Sequence, residues 1–429
     1  MEIFNYPERS LWGGILKRPP LDEQDLSEAV GQILREVKAR GDEALREYEE
    51  RFDKVQLRDL HVSQPEMERA AELLSKELKE AIQAAMHNIE AFHAAQRRDV
   101  VQVQTMPGVL CWQKPVPVER VGLYVPGGTA PLFSTVLMLA VPARLAGCRE
   151  IVLCTPPGKD GQVHPAILYA ASLSGATHIY KVGGAQAIAA LAYGTESIPK
   201  VDKIFGPGNR FVTAAKQMVS LRDVAIDMPA GPSEVMVLAD GRANPAFVAA
   251  DLLSQAEHGA DSQSILVTDS KELLLKVQEE VCRQMEVLPR QSIAMQSLRH
   301  GKLILLRSMD EAMEMANAYA PEHLIIQAED YASLAEHVVN AGSVFLGAFS
   351  PESAGDYASG TNHTLPTSGY ARAYSGVHLD SFMKKVTFQE ITREGLCGLG
   401  TAIMVMAANE HLEAHRKAVE IRIESKRKE

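Results

Sequence analysis

The sequence predicts an α/β protein with two parallel-sheet domains, a helical N-terminal segment and a C-terminal tail. Two observations carry that prediction. From about residue 117, short apolar runs rich in Val, Ile and Leu alternate with helical stretches of about 10–13 residues, the pattern of right-handed βαβ crossovers. Several of those runs end in Gly or Pro turns, and in open α/β sheets ligands sit at the carboxyl ends of strands.

Residues 21–105 read as helix. "DEQDLSEAVGQILREVKARGDEALREYEERFD" places Leu26, Val30, Ile33, Leu34 and Val37 on one stripe with charges elsewhere, and "QPEMERAAELLSKELKEAIQAAMHNIEAFHAAQ" continues in the same style. The texture then changes. "VERVGLYVPGG" reads as a strand ending in Pro-Gly-Gly, "TVLMLAVPARLAG" as a helix, "EIVLCTPP" as a strand and "HPAILYAASLSG" as a helix. "HIYKVGG", "DKIFGPGN" and "DVAIDM" are further strands, separated by the helices "AQAIAALAYG" and "RFVTAAKQMVS". A second run begins near residue 233 with the strand "EVMVLAD", the helix carrying "QAEH", and the strands "QSILVTDS" and "KLILLR". It closes with "MDEAMEMANAYA", "HLIIQ", "DYASLAEHVVNA" and "GSVFLG", helix and strand in turn. The last fifty residues return to helix and charge. Each unit is Rossmann-like but incomplete.

A chain of 429 residues with 46% hydrophobic content suits two to three domains with sizeable cores. Its 44 basic and 55 acidic residues give a formal charge of −11, which argues against non-specific nucleic-acid binding through phosphate neutralisation. The terminal "ESKRKE" reads as a solvated end. None of Cys111, Cys148, Cys154, Cys282 and Cys397 forms a CxxC, so free thiols in a reducing compartment are expected. No secretory signal is visible in "MEIFNYPERS", and stretches such as "STVLMLAVPA" are too short to span a bilayer. A soluble, cytoplasmic protein is expected.

No GxGxxG stands between a strand and a helix. "FGPGN" and "VPGGTAP" are Gly-rich turns after strands, which suit either close approach of backbone to a phosphate or tight turns with positive φ. For metal binding, unpaired cysteines leave His, Asp and Gln. Gln255 precedes His258 by one helical turn in "LLSQAEHGAD". This suits two ligands on one face, or simply a helix end with Gly259 as its C-cap. His323 follows Glu322 in "APEHLII", giving two proton-transfer groups side by side, or an ordinary boundary after Pro. Asp356 and His363 share a Gly-, Ser- and Pro-rich loop of about 20 residues (350–369), longer than compact domains usually carry without a function. His411 and His415 in "NEHLEAHRKA" are i, i+4 neighbours, either a facial pair or a solvated helix face.

Taken together, these stretches resemble the histidinol dehydrogenase family. The resemblance runs through "VGLYVPGGTAPLFSTVLMLAVPARLAGC", "KVGGAQAIAALAYGTESIPKVDKIFGPGN", "IDMPAGPSEVMVLAD", "DLLSQAEHGADSQSILVT", "APEHLII", "GSVFLGAFSPESAGDYASGTNHTLPTSGYARAYSGV" and "NEHLEAH", covering roughly residues 20–420. It implies a zinc- and NAD-dependent oxidation of L-histidinol through L-histidinaldehyde to L-histidine, with two NAD used and one zinc ion per subunit. By motif, zinc falls to Gln255, His258, Asp356 and His415, and the acid–base pair is Glu322 and His323. Substrate contacts are Ser233, Gln255, His258, His323, Asp356, His363, Glu410 and His415. NAD contacts are Tyr124, Gln186 and Asn209.

The resemblance also implies a homodimer with shared active sites, no nucleic acid and no membrane. It divides the chain into an N-terminal tail (1–20) and a first α/β domain with the zinc and substrate site (21–120 plus 233–377). An inserted α/β domain for NAD (121–232) and a helical tail crossing to the partner (378–429) complete it. Two imidazoles, one carboxylate and one amide leave zinc net positive, suited to a substrate that brings an imidazole and an amine. Two other readings of the residues stand beside this one: a metal-dependent amide or ester hydrolase, which would act without nicotinamide, and a two-domain binding protein without turnover.

Overall fold

The computed structural model describes residues 1–19, 24–127, 130–229 and 231–425. The start of the expected helical segment at residue 21, Gly128 of the Pro-Gly-Gly turn and the last four residues of "ESKRKE" lie outside the described residues. The chain forms two compact units. One comprises Met1–Gln96 with Val118–Phe382, the other Arg97–Pro117 with Met383–Glu429.

The first unit holds two parallel sheets wrapped in helices, so the α/β class holds. Its six-stranded sheet has the spatial order Glu2–Asn5, Lys302–Leu305, Gln263–Thr268, Glu234–Ala239, His323–Gln327 and Ser343–Leu346, with every pairing parallel. The three central strands are buried along their whole length, as helices on both faces require. Side chains alternate between those faces. Val235, Val237, Leu266 and Ile325 pack with Val248, Leu252, Leu274 and Val277 of two helices. Met236, Leu238, Ile265 and Ile326 pack with Met313, Ala316 and Trp12 on the other side.

The five-stranded sheet has the order His178–Lys181, Glu150–Thr155, Arg120–Tyr124, Lys203–Phe205 and Ala225–Ile226, again all parallel. The helix Gly184–Tyr193 is buried from Ala185 to Ala192. Val30, Ile33, Leu34 and Val37, the stripe legible in the sequence, join it in one core, so the N-terminal helix Gln24–Arg40 packs by its apolar face.

The second unit departs from expectation. Residues 101–105 are not helix, and the tail is not helical throughout. Val101–Met106, Val109–Pro117 and Met383–Ile391 form an antiparallel sheet in which Met383 faces Pro117 and Ile391 faces Val109. Trp112 stacks on Phe388 with ring centroids 5.2 Å apart. "VVQVQTMPGVL" alternates apolar and polar residues around Pro-Gly, which is a hairpin pattern. The partner strand lies hundreds of residues away, so no local window reveals the pairing. The helices Arg393–Asn409 and Glu413–Glu424 complete this unit. In the first unit, Glu2–Asn5 of the expected N-terminal tail is an edge strand beside Lys302–Leu305.

Candidate active site

The expected site residues of the six-stranded sheet gather at the amino ends of its strands, the reverse of the carboxyl-end rule. Ser233 precedes Glu234–Ala239, and Glu322 precedes His323–Gln327, which His323 opens in register with Val235. The helix Pro245–Ala256, whose last turn carries Gln255, leads to the amino end of Gln263–Thr268. His258 lies just beyond that helix, its N–H donating to the Gln255 carbonyl at 3.2 Å. The helix ends through Glu257 in the right-handed region, so Gly259 is not its C-cap. Loop 350–369 contains a short helix, Glu352–Tyr357, behind Pro351. It sets Glu352 and Asp356 four residues apart, on neighbouring turns of one face. Glu352 was missed by sequence reasoning, although an acid four residues before Asp356, directly after a Pro, is a readable signal.

Glu322 and His323 are both buried and share one anchor. The N–H of Glu234 donates to Glu322 Oε2 at 2.8 Å, and the Glu234 carbonyl accepts from His323 Nδ1 at 3.2 Å. Arg18 pairs with the Glu234 carboxylate and fixes it from behind. With Nδ1 donating, the lone pair of the neutral ring is at Nε2. That atom is buried without a hydrogen-bond partner among the described residues and stands 3.8 Å from Asp356 Oδ1. Burial pushes His323 down to about 3 and holds it neutral. Burial, then the nearby carboxylates of Glu234, Glu352 and Asp356, raise Glu322 well above the usual range.

His258 Nε2 lies 3.8 Å from Asp356 Oδ2 and 4.0 Å from Glu352 Oε1. His258, Glu352 and Asp356 each offer a ligand atom within 4.8 Å of the others. Gln255 is fully buried, and neither its amide oxygen nor its nitrogen has a partner among the described residues. Such an amide costs about 1–3 kcal/mol unless something supplies the missing bond. Glu352 Oε1 is orphaned in the same way. Crowded acids, a half-exposed imidazole and an unsatisfied amide fit a divalent cation, which would neutralise the first and bond the last.

His363 donates from Nδ1 to the Asp356 carbonyl at 2.8 Å, and its Nε2 accepts from the Thr135 hydroxyl at 3.1 Å. Burial pushes it down to about 4. Thr135 is in the first turn of the helix that follows strand Arg120–Tyr124, so this bond ties the carboxyl side of one sheet to the amino side of the other. Glu410 and His415 belong to the second unit, where both are exposed. His411 has φ 59° between two helices, so His411 and His415 are not an i, i+4 pair on one helix.

Tyr124 ends the strand Arg120–Tyr124, and Gln186 and Asn209 follow the carboxyl ends of His178–Lys181 and Lys203–Phe205. The Tyr124 hydroxyl accepts from Gly184 N at 3.1 Å, and Gln186 Nε2 donates to Glu49 Oε1 at 2.9 Å. Asn209 Oδ1 caps the helix Arg210–Ser220 through Phe211 N and Val212 N at 3.0 and 3.1 Å. In "FGPGN", Gly206 has φ 123°, and a Cβ there would fall 2.0 Å from the Tyr124 carbonyl oxygen, so backbone geometry itself demands glycine.

Comparison with known proteins places the chain in a family. The histidinol dehydrogenase family model matches residues 16–423. A Bacteroides fragilis protein named histidinol dehydrogenase is 64% identical over 428 residues, covering 100% of both chains. An Escherichia coli protein of the same name is 54% identical over 412 residues, covering 95% of this chain and 94% of its own. The crystal structure of histidinol dehydrogenase from Elizabethkingia anophelis matches with a TM-score of 0.97 at 53% identity, over 99% of this chain and 98% of that one. The chain therefore belongs to the histidinol dehydrogenase family.

Proposed function

We propose that the chain oxidises L-histidinol through L-histidinaldehyde to L-histidine, using zinc and two NAD per turnover. Family membership supports the reaction. The observation that carries the metal site is the unsatisfied Gln255 amide beside His258, Glu352 and Asp356. Gln255, His258 and Asp356 would hold one zinc ion, with His415 from a second copy of the chain as the fourth ligand. When bound, zinc supplies a positive centre for the substrate's imidazole and amine, and NAD accepts the electrons of each oxidation.

His323 takes the alcohol proton at Nε2, where burial keeps the lone pair free. Glu322 takes a proton from the water that attacks the aldehyde. The N–H of Glu234 orients that carboxyl group beside His323. His323 then assists the second oxidation. Ser233, His363 and the second copy's Glu410 would orient the substrate, and Tyr124, Gln186 and Asn209 would belong to the dinucleotide site.

A homodimer with shared sites is part of this reading. Val405 and Met406 on helix Arg393–Asn409 are 55% and 64% exposed, an apolar surface that a second copy would cover. Five free cysteines suit a reducing, cytoplasmic setting, and no helix among the described residues is long and apolar enough to cross a membrane. Chelation tests the metal-dependent reaction. Histidinol-dependent reduction of NAD should disappear in metal-free protein and return with zinc. Full activity without metal would overturn it.

A further inference from the structure

We infer that Glu49 is a positioning residue of the dinucleotide site: its buried carboxyl group fixes the Gln186 side chain and the start of helix Gly184–Tyr193. This rests on the reading of Gln186 as a dinucleotide contact.

Glu49 is fully buried although it comes from a distant helical segment. It opens the π-helical turn Glu49–Asp53, which ends in Lys54 at φ 61°. Such turns are rare and recur at functional sites. One carboxyl oxygen, Oε1, accepts from Gly183 N at 3.1 Å and from Gln186 Nε2 at 2.9 Å. The amide of Gln186 is thereby oriented. Its oxygen lies over Gly184, where a Cβ would come within 2.6 Å, and Gly184 has φ 59°. The hydroxyl of Tyr124 accepts from Gly184 N on the same turn. Two of the three expected dinucleotide contacts therefore meet at one helix start, and Glu49 holds it.

The second oxygen, Oε2, is buried without a donor among the described residues. Its neighbour is the carboxyl group of Asp53, so the pair is stable when one of them keeps a proton. A core formed only for stability has no need of a carboxylic acid here, since an apolar side chain would avoid the desolvation cost. An acceptor is required because Gln186 must present its amide in one orientation.

The test compares Glu49→Ala, Glu49→Gln and Gln186→Ala in the full-length, zinc-loaded protein. Michaelis constants for NAD and histidinol and the zinc content are measured for each. Glu49→Ala should raise the NAD constant about tenfold, with the histidinol constant and zinc content unchanged. Glu49→Gln should return it to near wild type, because its carbonyl oxygen accepts the same two bonds and its NH2 can donate to Asp53. Combining Glu49→Ala with Gln186→Ala should add little to Gln186→Ala. A wild-type NAD constant in Glu49→Ala, beside a raised one in Gln186→Ala, overturns the inference and leaves the reading of Gln186 intact. An unchanged NAD constant in Gln186→Ala overturns that reading, and the inference with it. Should Glu49→Ala not fold, Glu49→Leu removes the acceptor while filling the space and is judged by the same outcomes.

Discussion

His323 donates from Nδ1 to the carbonyl of Glu234 at 3.2 Å, and this bond decides which ring nitrogen can act as a base. The same residue's N–H holds Glu322 at 2.8 Å. One residue's main chain thus holds both side chains, and the separate roles proposed for them should separate on mutation. Glu322→Gln should leave oxidation of histidinol to the aldehyde nearly intact and slow oxidation of added histidinaldehyde about 10²-fold or more. Single-turnover rates with each substrate check this. Equal losses in both steps would contradict the division.

Gln255 predicts effects of opposite sign. Gln255→Leu removes a buried amide that has no partner in the metal-free protein, so that form should gain up to about 1–3 kcal/mol. The same change removes a proposed ligand, so the rise in melting temperature on adding zinc should shrink. Thermal unfolding with and without zinc measures both. A metal-free variant less stable than wild type would show that the amide is bonded in solution.

Glu352 is fully buried within reach of His258, His323 and Asp356. Glu352→Gln should weaken zinc binding about 10–100-fold by removing a charge from the ligand cluster. Competition against a chromogenic chelator gives the constant. An unchanged value would confine Glu352 to packing.

Glu49 gives a pH signature. Burial pushes it up to about 8, while an unfolded glutamate titrates near 4.3. The folded protein therefore binds more protons between those values, and the corresponding stability is present at low pH and lost as pH rises through about 8. Asp53, Tyr124 and Cys154 interact with it electrostatically, and burial pushes Tyr124 and Cys154 up, which keeps both protonated. Between pH 5 and 8, Glu49→Gln should lose less stability than wild type in thermal melts. Parallel curves would remove Glu49 as the source.

Much of the architecture was legible because parallel strands buried on both faces read as apolar runs and amphipathic helices as stripes. Val30, Ile33, Leu34 and Val37 are the clearest case. The sheet of the second unit was not, because Met383–Ile391 finds its partner across most of the chain. In the site, motif likeness named Gln255, His258, Glu322, His323 and Asp356, but not what makes them chemically unusual. That the Gln255 amide is unsatisfied, that Glu352 stands behind Asp356 and that Glu49 reaches Gln186 are facts of three-dimensional packing. Composition and spacing carry no record of them.

In the proposed reaction one site performs both oxidations. Purified protein is incubated with zinc, limiting histidinol and excess NAD, and NADH and histidine are counted together. About two NADH per histidine are expected, with little free aldehyde, as a two-step oxidation at one site requires. One NADH per histidinol consumed, with aldehyde accumulating and no histidine, would contradict it.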